Sequence, residues 1–153
     1  MPLEIRLDDA SVADTRALVT AHVSGMLANT PPESCHALDA DALVDTSALL
    51  WSARVDGELA GIGALSPFGE DAGELKSMRV TDPFLGKGVG RAILRHVMAE
   101  ARERGIRSLW LETGSGADFA AARGLYASEG FVECPPFGSY RPDPLSTFMT
   151  REI

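Results

Sequence analysis

Three alternating glycines, Gly86, Gly88 and Gly90, stand at the start of a segment whose apolar residues recur at helical spacing. Those apolar positions are Val89, Ile93, Leu94, Val97, Met98 and Ala101. Because glycine has no Cβ, the main chain at such a turn can approach a ligand closely. The unpaired amides of a first helical turn, at the positive end of the helix dipole, attract anions. The spacing therefore predicts a phosphate-binding turn between a strand and a helix.

Two well-known phosphate-binding patterns do not fit these residues. The Walker loop requires Ser or Thr after Gly-Lys, whereas Gly88 follows Lys87 here. The dinucleotide fingerprint would need a glycine at the position of Arg91. A glycine-rich turn that binds no ligand is the structural alternative, and the turn by itself leaves that alternative open.

Composition and net charge limit the class of protein. The chain has 153 residues, of which 45% are hydrophobic and 24% charged, as in an ordinary globular domain. We therefore expect one domain spanning residues 1–153. The absence of a long apolar run and of a signal pattern predicts a cytoplasmic protein that does not bind membranes. A net charge of -8 argues against nucleic acid as the main partner.

The cations are concentrated near the glycine turn, although the chain as a whole is acidic. Asp and Glu dominate residues 1–75, where the only cations are Arg6, Arg16 and Arg54. Residues 76–95 then contain Lys76, Arg79, Lys87, Arg91 and Arg95. This distribution predicts a landing site for a polyanion such as a phosphorylated cofactor, with a solvated helix face as the alternative.

Apolar periodicity predicts the other elements. Strands are expected at residues 3–7, 51–55, 59–65, 74–80, 107–113, 131–134 and 147–151, and helices at 12–27, 39–44, 88–103 and 118–128. Asp56-Gly57 is typical of a two-residue hairpin. Leu75 and Met78 can share a face with Val80 only if that strand has a bulge near Ser77. The strand-helix-strand unit from residue 74 to residue 113 predicts that its two strands pair in parallel.

Two segments resemble the GCN5-related N-acetyltransferase (GNAT) family. The family's pyrophosphate loop has Gln or Arg, two residues, Gly, one residue, and Gly or Ala, a pattern that runs here from Leu85 through Gly88 to Gly90. Residues 122–126, Ala-Arg-Gly-Leu-Tyr, followed by Gly-Phe at 130–131, resemble the family's Ala-x-x-Leu-Tyr and Gly-Phe. Leu85 departs from the pattern, and we expect packing to replace the usual polar side chain there.

The resemblance implies a mixed α/β fold with a mostly antiparallel sheet of six or seven strands, helices on both faces, and parallel fourth and fifth strands that splay apart. It implies acetyl-coenzyme A (acetyl-CoA) as co-substrate and no metal. The main-chain N–H of Met78 or Arg79 would stabilise the oxyanion. Phe119 replaces an Asn that family members often carry. The implied cofactor-binding residues are Met78, Arg79, Val80, Leu85, Gly86, Lys87, Gly88, Val89, Gly90, Arg91, Phe119 and Arg123.

The family's reaction gives chemical roles to three side chains. Tyr126 is the expected general acid, because a phenol protonated at neutral pH can donate to a departing thiolate. An alkylammonium acceptor must lose a proton before its nitrogen attacks, and Glu74 and Glu112 are alternative bases, directly or through water. A covalent route through Cys134 is a weaker alternative, because no nearby histidine is evident in the sequence and the family mostly transfers directly in a ternary complex.

The expected acceptor is a primary amine of a small molecule or an amino-acid-like compound. We expect two loops to select it, through Glu33 and His36 in one and through Tyr140 and Arg141 in the other, with Arg141 gripping a carboxylate. Two other functions stay open, an acyl-CoA sensor without catalysis and acetylation of a protein N-terminus or lysine. The oligomeric state is also open, with a homodimer as one arrangement.

Overall fold

The computed structural model describes residues 2–8, 13–29, 48–138 and 140–153. The strands are β1 (Leu3–Asp8), β2 (Leu49–Val55), β3 (Glu58–Phe68), β4 (Ala72–Val80), β5 (Ser108–Gly114), β6 (Val132–Glu133) and β7 (Ser146–Glu152). The helices are α1 (Ala13–Asn29), α2 (Val89–Glu103) and α3 (Ala120–Ser128), and 3₁₀ turns at Asp82–Phe84 and Ala117–Phe119 precede α2 and α3. The helix predicted at 39–44 and the predicted acceptor residues Glu33 and His36 lie outside the described residues.

The seven strands form one mixed sheet in the order β1-β2-β3-β4-β5-β7-β6. The β4–β5 pair is parallel, and the other neighbouring strands are antiparallel. Asp56 and Gly57 form the predicted hairpin turn between β2 and β3, with φ of 51° and 83°. The predicted mixed, mostly antiparallel sheet with a parallel fourth and fifth strand is confirmed.

Helices cover both faces of the sheet, as predicted. Trp51 and Arg54 lie three residues apart on β2, and an odd separation along a strand places side chains on opposite faces. The Trp51 ring contacts His96 of α2, with the ring centroids 6.2 Å apart. Arg54 donates to Asp14 of α1 at 2.7 Å. Therefore α1 lies on one face of the sheet and α2 on the other.

The larger core lies between the sheet and α2. The predicted apolar face of α2 is buried at Val89, Ile93, Leu94, Val97, Met98 and Ala101. Each large aliphatic side chain buried in this way contributes roughly 1.5–3 kcal/mol of transfer free energy. A Cβ on Gly61 would lie 2.8 Å from Ile93 Cδ1, and a Cβ on Gly63 would lie 2.6 Å from Ile93 Cγ2. The two glycines of β3 therefore let α2 approach the sheet closely, which fixes the position of the helix N-terminus.

Candidate active site

A bulge interrupts β4 at the residue where the sequence predicted one. The pairing of β4 with β3 shifts there, so that Ser77 and Met78 together oppose Gly63. Ser77 has φ of 55°, in the left-handed region that residues with a Cβ rarely adopt. A bulge re-aims the backbone groups beside it. The predicted bulge near Ser77 is confirmed.

The parallel pair β4–β5 separates beyond its first four residue pairs. Pairing runs from Ala72 and Ser108 to Leu75 and Leu111. Both strands continue after this point, to Val80 and to Gly114. The predicted splay is therefore present, and it leaves main-chain groups between the strands available to a ligand.

A cleft of about 400 Å³ extends from this splay to the glycine turn. This volume is in the range of pockets that bind small molecules. The end of β4, the first residues of α2, and Ala122, Leu125 and Tyr126 of α3 line the cleft. The predicted cofactor-binding residues in its lining are Met78, Arg79, Val80, Leu85, Gly86, Gly88, Val89, Gly90 and Arg91.

The glycine turn presents the first amides of α2 at one end of the cleft. Gly86 and Gly88 have φ of 72° and 83°, and Gly88 is the N-cap residue. Added Cβ atoms would meet nothing within 4 Å at either residue, so conformation, not lack of space, favours glycine. Ala92 N–H donates to Gly88 O at 3.0 Å. The amides that precede Ala92 lie ahead of this first helical bond, where an anion binds most readily.

A second, smaller pocket of about 110 Å³ lies in the splay between β4 and β5. Ser77, Glu112 and Phe119 are among the residues that line it. Met78, Ala122 and Tyr126 line both this pocket and the cleft. The two cavities therefore meet at these three residues.

The Tyr126 side chain lies at this junction and is 7% exposed. Burial raises the pKa of its phenol above the ordinary value of 10.0. Its ring packs edge-on against Phe131, with the centroids 5.8 Å apart. The phenol therefore holds its proton throughout the neutral range, as a general acid requires.

Glu112, one of the two predicted bases, lines the smaller pocket. Burial raises the pKa of its carboxyl to about 7, while a hydrogen bond from Ser146 Oγ at 3.1 Å opposes part of that rise. A carboxyl with this pKa can take up and release a proton at neutral pH.

Glu74, the other predicted base, is held in a polar network. The Tyr140 hydroxyl donates to its carboxylate, and Lys76 Nζ lies 3.2 Å from the same oxygen. Lys76 also donates to the Tyr140 hydroxyl at 3.1 Å. Of the two carboxyls, Glu112 is the one that lines the smaller pocket.

The "Acetyltransferase (GNAT) family" model matches residues 17–131 of the sequence. The chain belongs to the acetyltransferase (GNAT) family. It is 45% identical over 146 residues to the uncharacterized N-acetyltransferase YedL of Escherichia coli, covering 95% of this chain and 92% of YedL. It is 44% identical to the uncharacterized N-acetyltransferase YsnE of Bacillus subtilis over 151 residues, 99% of this chain and 100% of YsnE.

A solved structure of a GNAT family acetyltransferase from Elizabethkingia anophelis with acetyl-CoA bound shares the fold. Its TM-score is 0.72 at 20% identity, over 99% of this chain and 98% of the other. Together with the family match and the two relatives, the fold identifies this GNAT protein as an acetyl-CoA-dependent acyltransferase.

Several of the cations expected to attract the cofactor are held by other groups. Arg91 lines the cleft, but it donates to Glu129 Oε1 at 2.6 Å, and Arg95 donates to the same oxygen at 2.9 Å. Lys87 is exposed, and its ammonium lies 5.8 Å from the centroid of the Phe84 ring. Because Arg91 and Arg95 of this GNAT protein are paired with Glu129, fewer cations can contact an anion than the distribution of charge predicted.

Arg123 was predicted to bind the cofactor, but it lines neither cavity. Its guanidinium donates to Gly114 O at 2.6 Å and to Gly116 O at 2.9 Å. These bonds brace the turn between β5 and α3. The structure therefore places Arg123 as a support of that turn.

Leu85 and Phe119, the two departures from the family pattern, lie in different places. Leu85 borders the cleft and is 59% exposed, so the expectation that packing replaces a polar side chain there is not met in this structure. Phe119 lines the smaller pocket instead of the cleft. Its ring fills the space where a Cβ on Gly114 would be, only 2.1 Å from the nearest ring atom.

The predicted carboxylate grip by Tyr140 and Arg141 is not assembled in the described part of the structure. The Tyr140 hydroxyl is hydrogen-bonded to Glu74 and Lys76. Arg141 is exposed and lines neither cavity. Cys134 also lies outside both linings, and burial raises the pKa of its thiol, which disfavours the thiolate that a covalent route needs.

The sequence did not identify Ser77, Thr113 or Ser146 as site residues, and it named Lys76 only among the cations of the predicted anion landing site. Lys76, Ser77 and Thr113 line the smaller pocket, and Ser146 binds Glu112. The broken alternation of β4 located the bulge at Ser77, and this was the one sequence feature that could have indicated Ser77 as a site residue. The position of Ser146 depends on the pairing of β7 with β5, which no local pattern specifies.

The described residues contain no group of three or more His, Cys, Asp or Glu side chains arranged to hold a metal ion. No helix in the described part of the chain has the length and apolar character needed to span a lipid bilayer.

Proposed function

We propose that this GNAT protein transfers the acetyl group of acetyl-CoA to a primary amine of a small or amino-acid-like molecule, by direct attack in a ternary complex. The observation that carries the proposal is the position of Tyr126. It lies where the cofactor cleft meets a pocket that also contains Glu112. A thioester at this junction would have a proton donor at its sulfur and a carboxylate on the acceptor side.

In this proposal the donor binds along the cleft. The amides of the glycine turn and the dipole of α2 bind the pyrophosphate, and Lys87 at the same turn adds a positive charge. The pantetheine arm enters the gap that opens beyond Leu75, where β4 and β5 no longer pair. This arrangement brings the thioester to Tyr126.

The reaction then needs three proton transfers: from the acceptor ammonium to Glu112, from Tyr126 to sulfur, and from the attacking nitrogen to the resulting Tyr126 phenolate, which leaves a neutral amide. Glu112 takes a proton from the ammonium of the acceptor, and the freed nitrogen attacks the thioester carbonyl. The N–C bond forms as the carbonyl electron pair moves onto oxygen, where the Met78 amide stabilises it by about 3 kcal/mol. When the C–S bond breaks, Tyr126 supplies the proton to sulfur, whose thiol has a pKa near 8.5.

The polar groups of the smaller pocket favour a cationic acceptor. Lys76 and Glu112 both line the pocket, but the ammonium of Lys76 is paired with the carboxylate of Glu74 at 3.2 Å, so that its charge is offset. Carboxylate oxygens accept hydrogen bonds from an ammonium group. With about 110 Å³ of space, the pocket suits the reacting amine and a short acyl group. The bulk of the acceptor would lie outside it.

Release of the coenzyme A thiol across a panel of amines tests the proposal. The panel should include amino acids, their amides, short peptides and simple alkylamines. We expect amine-dependent thiol release and formation of the acetylated amine by mass spectrometry. Binding of acetyl-CoA without release by any amine would favour the acyl-CoA sensor, and release by peptides alone would favour a protein acceptor.

A further inference from the structure

Ser77, the residue at the bulge of β4, carries two energetic costs in the free protein. Its side chain is 6% exposed, and its hydroxyl has no hydrogen-bond partner among the described residues. A buried polar group without a partner is destabilising. Its φ of 55° is also unfavourable for a residue with a Cβ. A ligand that offered the hydroxyl an acceptor would remove the first of these costs.

The position of Ser77 indicates which ligand atom that partner is. Ser77 lines the smaller pocket. The next residue, Met78, lines both the pocket and the cofactor cleft. Ser77 therefore lies one residue from the junction at which the thioester of the donor is expected.

The other polar groups of the pocket leave one role unfilled. Ionised Glu112 only accepts hydrogen bonds, which suits an amine but not a carbonyl oxygen. Lys76 Nζ lies 3.2 Å from the carboxylate of Glu74. The Tyr126 hydroxyl is needed at the sulfur. Ser77 and Thr113 are the two hydroxyl donors in the lining, and Ser77 is the one next to Met78, whose amide is expected at the carbonyl oxygen.

We infer that the Ser77 hydroxyl donates a hydrogen bond to the carbonyl oxygen of the bound acyl thioester, beside the main-chain amide of Met78. The inference rests on the proposed acetyl transfer. When the amine attacks, the carbonyl electron pair moves onto oxygen, and the hydroxyl stabilises the negative charge. When the C–S bond breaks, the pair returns to re-form the carbonyl. Ser77 keeps its own proton throughout, and no covalent bond to it forms.

Two substitutions remove the hydroxyl in different ways. Ser77→Gly suits the positive φ, and Ser77→Ala keeps the Cβ. Loss of an oxyanion donor should lower kcat about 10²–10³-fold in both variants, with the affinity for coenzyme A unchanged. The glycine variant should unfold at the same temperature as the wild type or higher, because it loses an unpartnered hydroxyl and relieves the backbone.

Ser52→Ala is the matched control. Ser52 on β2 is 0% exposed, and its hydroxyl also lacks a partner among the described residues, but it lines neither cavity. Its substitution should leave kcat unchanged. If kcat falls only in the Ser77 variants, the loss is due to the position of that hydroxyl in the site. The removal of any buried hydroxyl would also have lowered kcat in Ser52→Ala.

A binding measurement gives a readout that does not depend on turnover. S-ethyl-CoA has a methylene in place of the thioester carbonyl, so calorimetry can compare its Kd with that of acetyl-CoA. The wild type should prefer acetyl-CoA, and Ser77→Gly should lose about 3–10-fold of that preference, the equivalent of one hydrogen bond. If the preference were present but no amine released coenzyme A, the proposed function alone would fail.

Two results would overturn the inference. One is a Ser77→Gly variant whose kcat and whose ratio of the two Kd values match those of the wild type. The other is a change in Ser77→Gly and Ser77→Ala that is confined to the KM of the amine, which would place the hydroxyl on the acceptor.

Discussion

Arg54 on β2 binds both carboxylate oxygens of Asp14 on α1, at 2.7 and 2.9 Å. Arg54 is 8% exposed, whereas the Asp14 side chain is 49% exposed. The hydrogen bond from Arg54 lowers the pKa of Asp14 to about 2. This pair fastens α1 to the face of the sheet opposite α2.

Asp14→Asn should therefore destabilise the fold at neutral pH. Because Asp14 is half exposed, solvent screens the ion pair itself, and the main cost is the guanidinium left buried with a weaker partner, about 1–3 kcal/mol. The pKa of the Asp14 carboxyl is lower in the folded state than in the unfolded state, so ionised Asp14 stabilises the fold at pH values above its unfolded pKa. This stabilisation is lost as the pH falls toward 2. Urea unfolding at pH 7 and at pH 2.5 should show the difference between variant and wild type shrinking at the lower pH. An equal difference at both pH values would contradict this explanation.

Tyr126→Phe tests the general acid. The substitution removes the phenol but keeps the ring that packs against Phe131. We expect kcat to fall about 10²–10⁴-fold, because a thiolate must then leave without a proton donor, while the Kd for acetyl-CoA stays within a factor of about three. Steady-state kinetics and calorimetry measure the two quantities. Unchanged turnover would remove Tyr126 from the mechanism.

Gly88→Ala tests the anion-binding turn. Gly88 has φ of 83°, and an added Cβ would meet no atom within 4 Å, so the cost is conformational, about 1–2 kcal/mol. If the turn relaxes to avoid that cost, its amides leave the positions that bind pyrophosphate. We expect the Kd for acetyl-CoA to rise about tenfold or more, which is the equivalent of about 1.4 kcal/mol.

Gly124→Ala is the matched control for that substitution. Gly124 lies inside α3, is exposed, and has open space around a built Cβ without a positive φ. Alanine should stabilise the helix by about 1 kcal/mol and leave the Kd for acetyl-CoA unchanged. Equal losses of affinity in both glycine variants would argue against a specific role of the turn.

The sequence predicted those features of the site that depend on local pattern. The bulge at Ser77 follows from the broken alternation between Leu75 and Met78, and the turn at Gly88 follows from the glycine spacing. The separation of β4 and β5 came from the family resemblance. The structure confirms the bulge and the separation. Leu75, Met78 and Val80 pack in one core with residues of α2, so the apolar pattern of β4 reflects this packing.

The features that the sequence did not predict depend on contacts between distant segments. Arg91 lines the cleft, but its bond to Glu129, which follows α3, was not predicted, because a cluster of charges in the sequence does not reveal its partners. Arg123 braces carbonyls of the turn before its own helix. The sequence could not decide between Glu74 and Glu112 as the base, because the burial of Glu112 and its hydrogen bond from Ser146 arise only when β7 pairs with β5.

The bond between Ser146 and Glu112 can be tested through its effect on pH dependence. Ser146 Oγ lies 3.1 Å from Glu112 Oε2, and this bond favours the charged carboxylate. Ser146→Ala should therefore raise the pKa of Glu112 further. The rise of kcat/KM with pH should move to higher pH, with the plateau value retained. A shift to lower pH would contradict the assignment.

In the proposed mechanism Glu112 accepts the proton of the amine, and the pH profile of kcat/KM in Glu112→Gln and Glu74→Gln measures that role. Because the pKa of Glu112 is raised to about 7 and the base must be ionised, wild-type kcat/KM should rise through pH 7. Glu112→Gln should lower kcat/KM at pH 8 about 10²–10⁴-fold and abolish that ionisation, while Glu74→Gln retains it. A Glu112→Gln enzyme that keeps both the rate and the rise near pH 7 would show that another group accepts the proton.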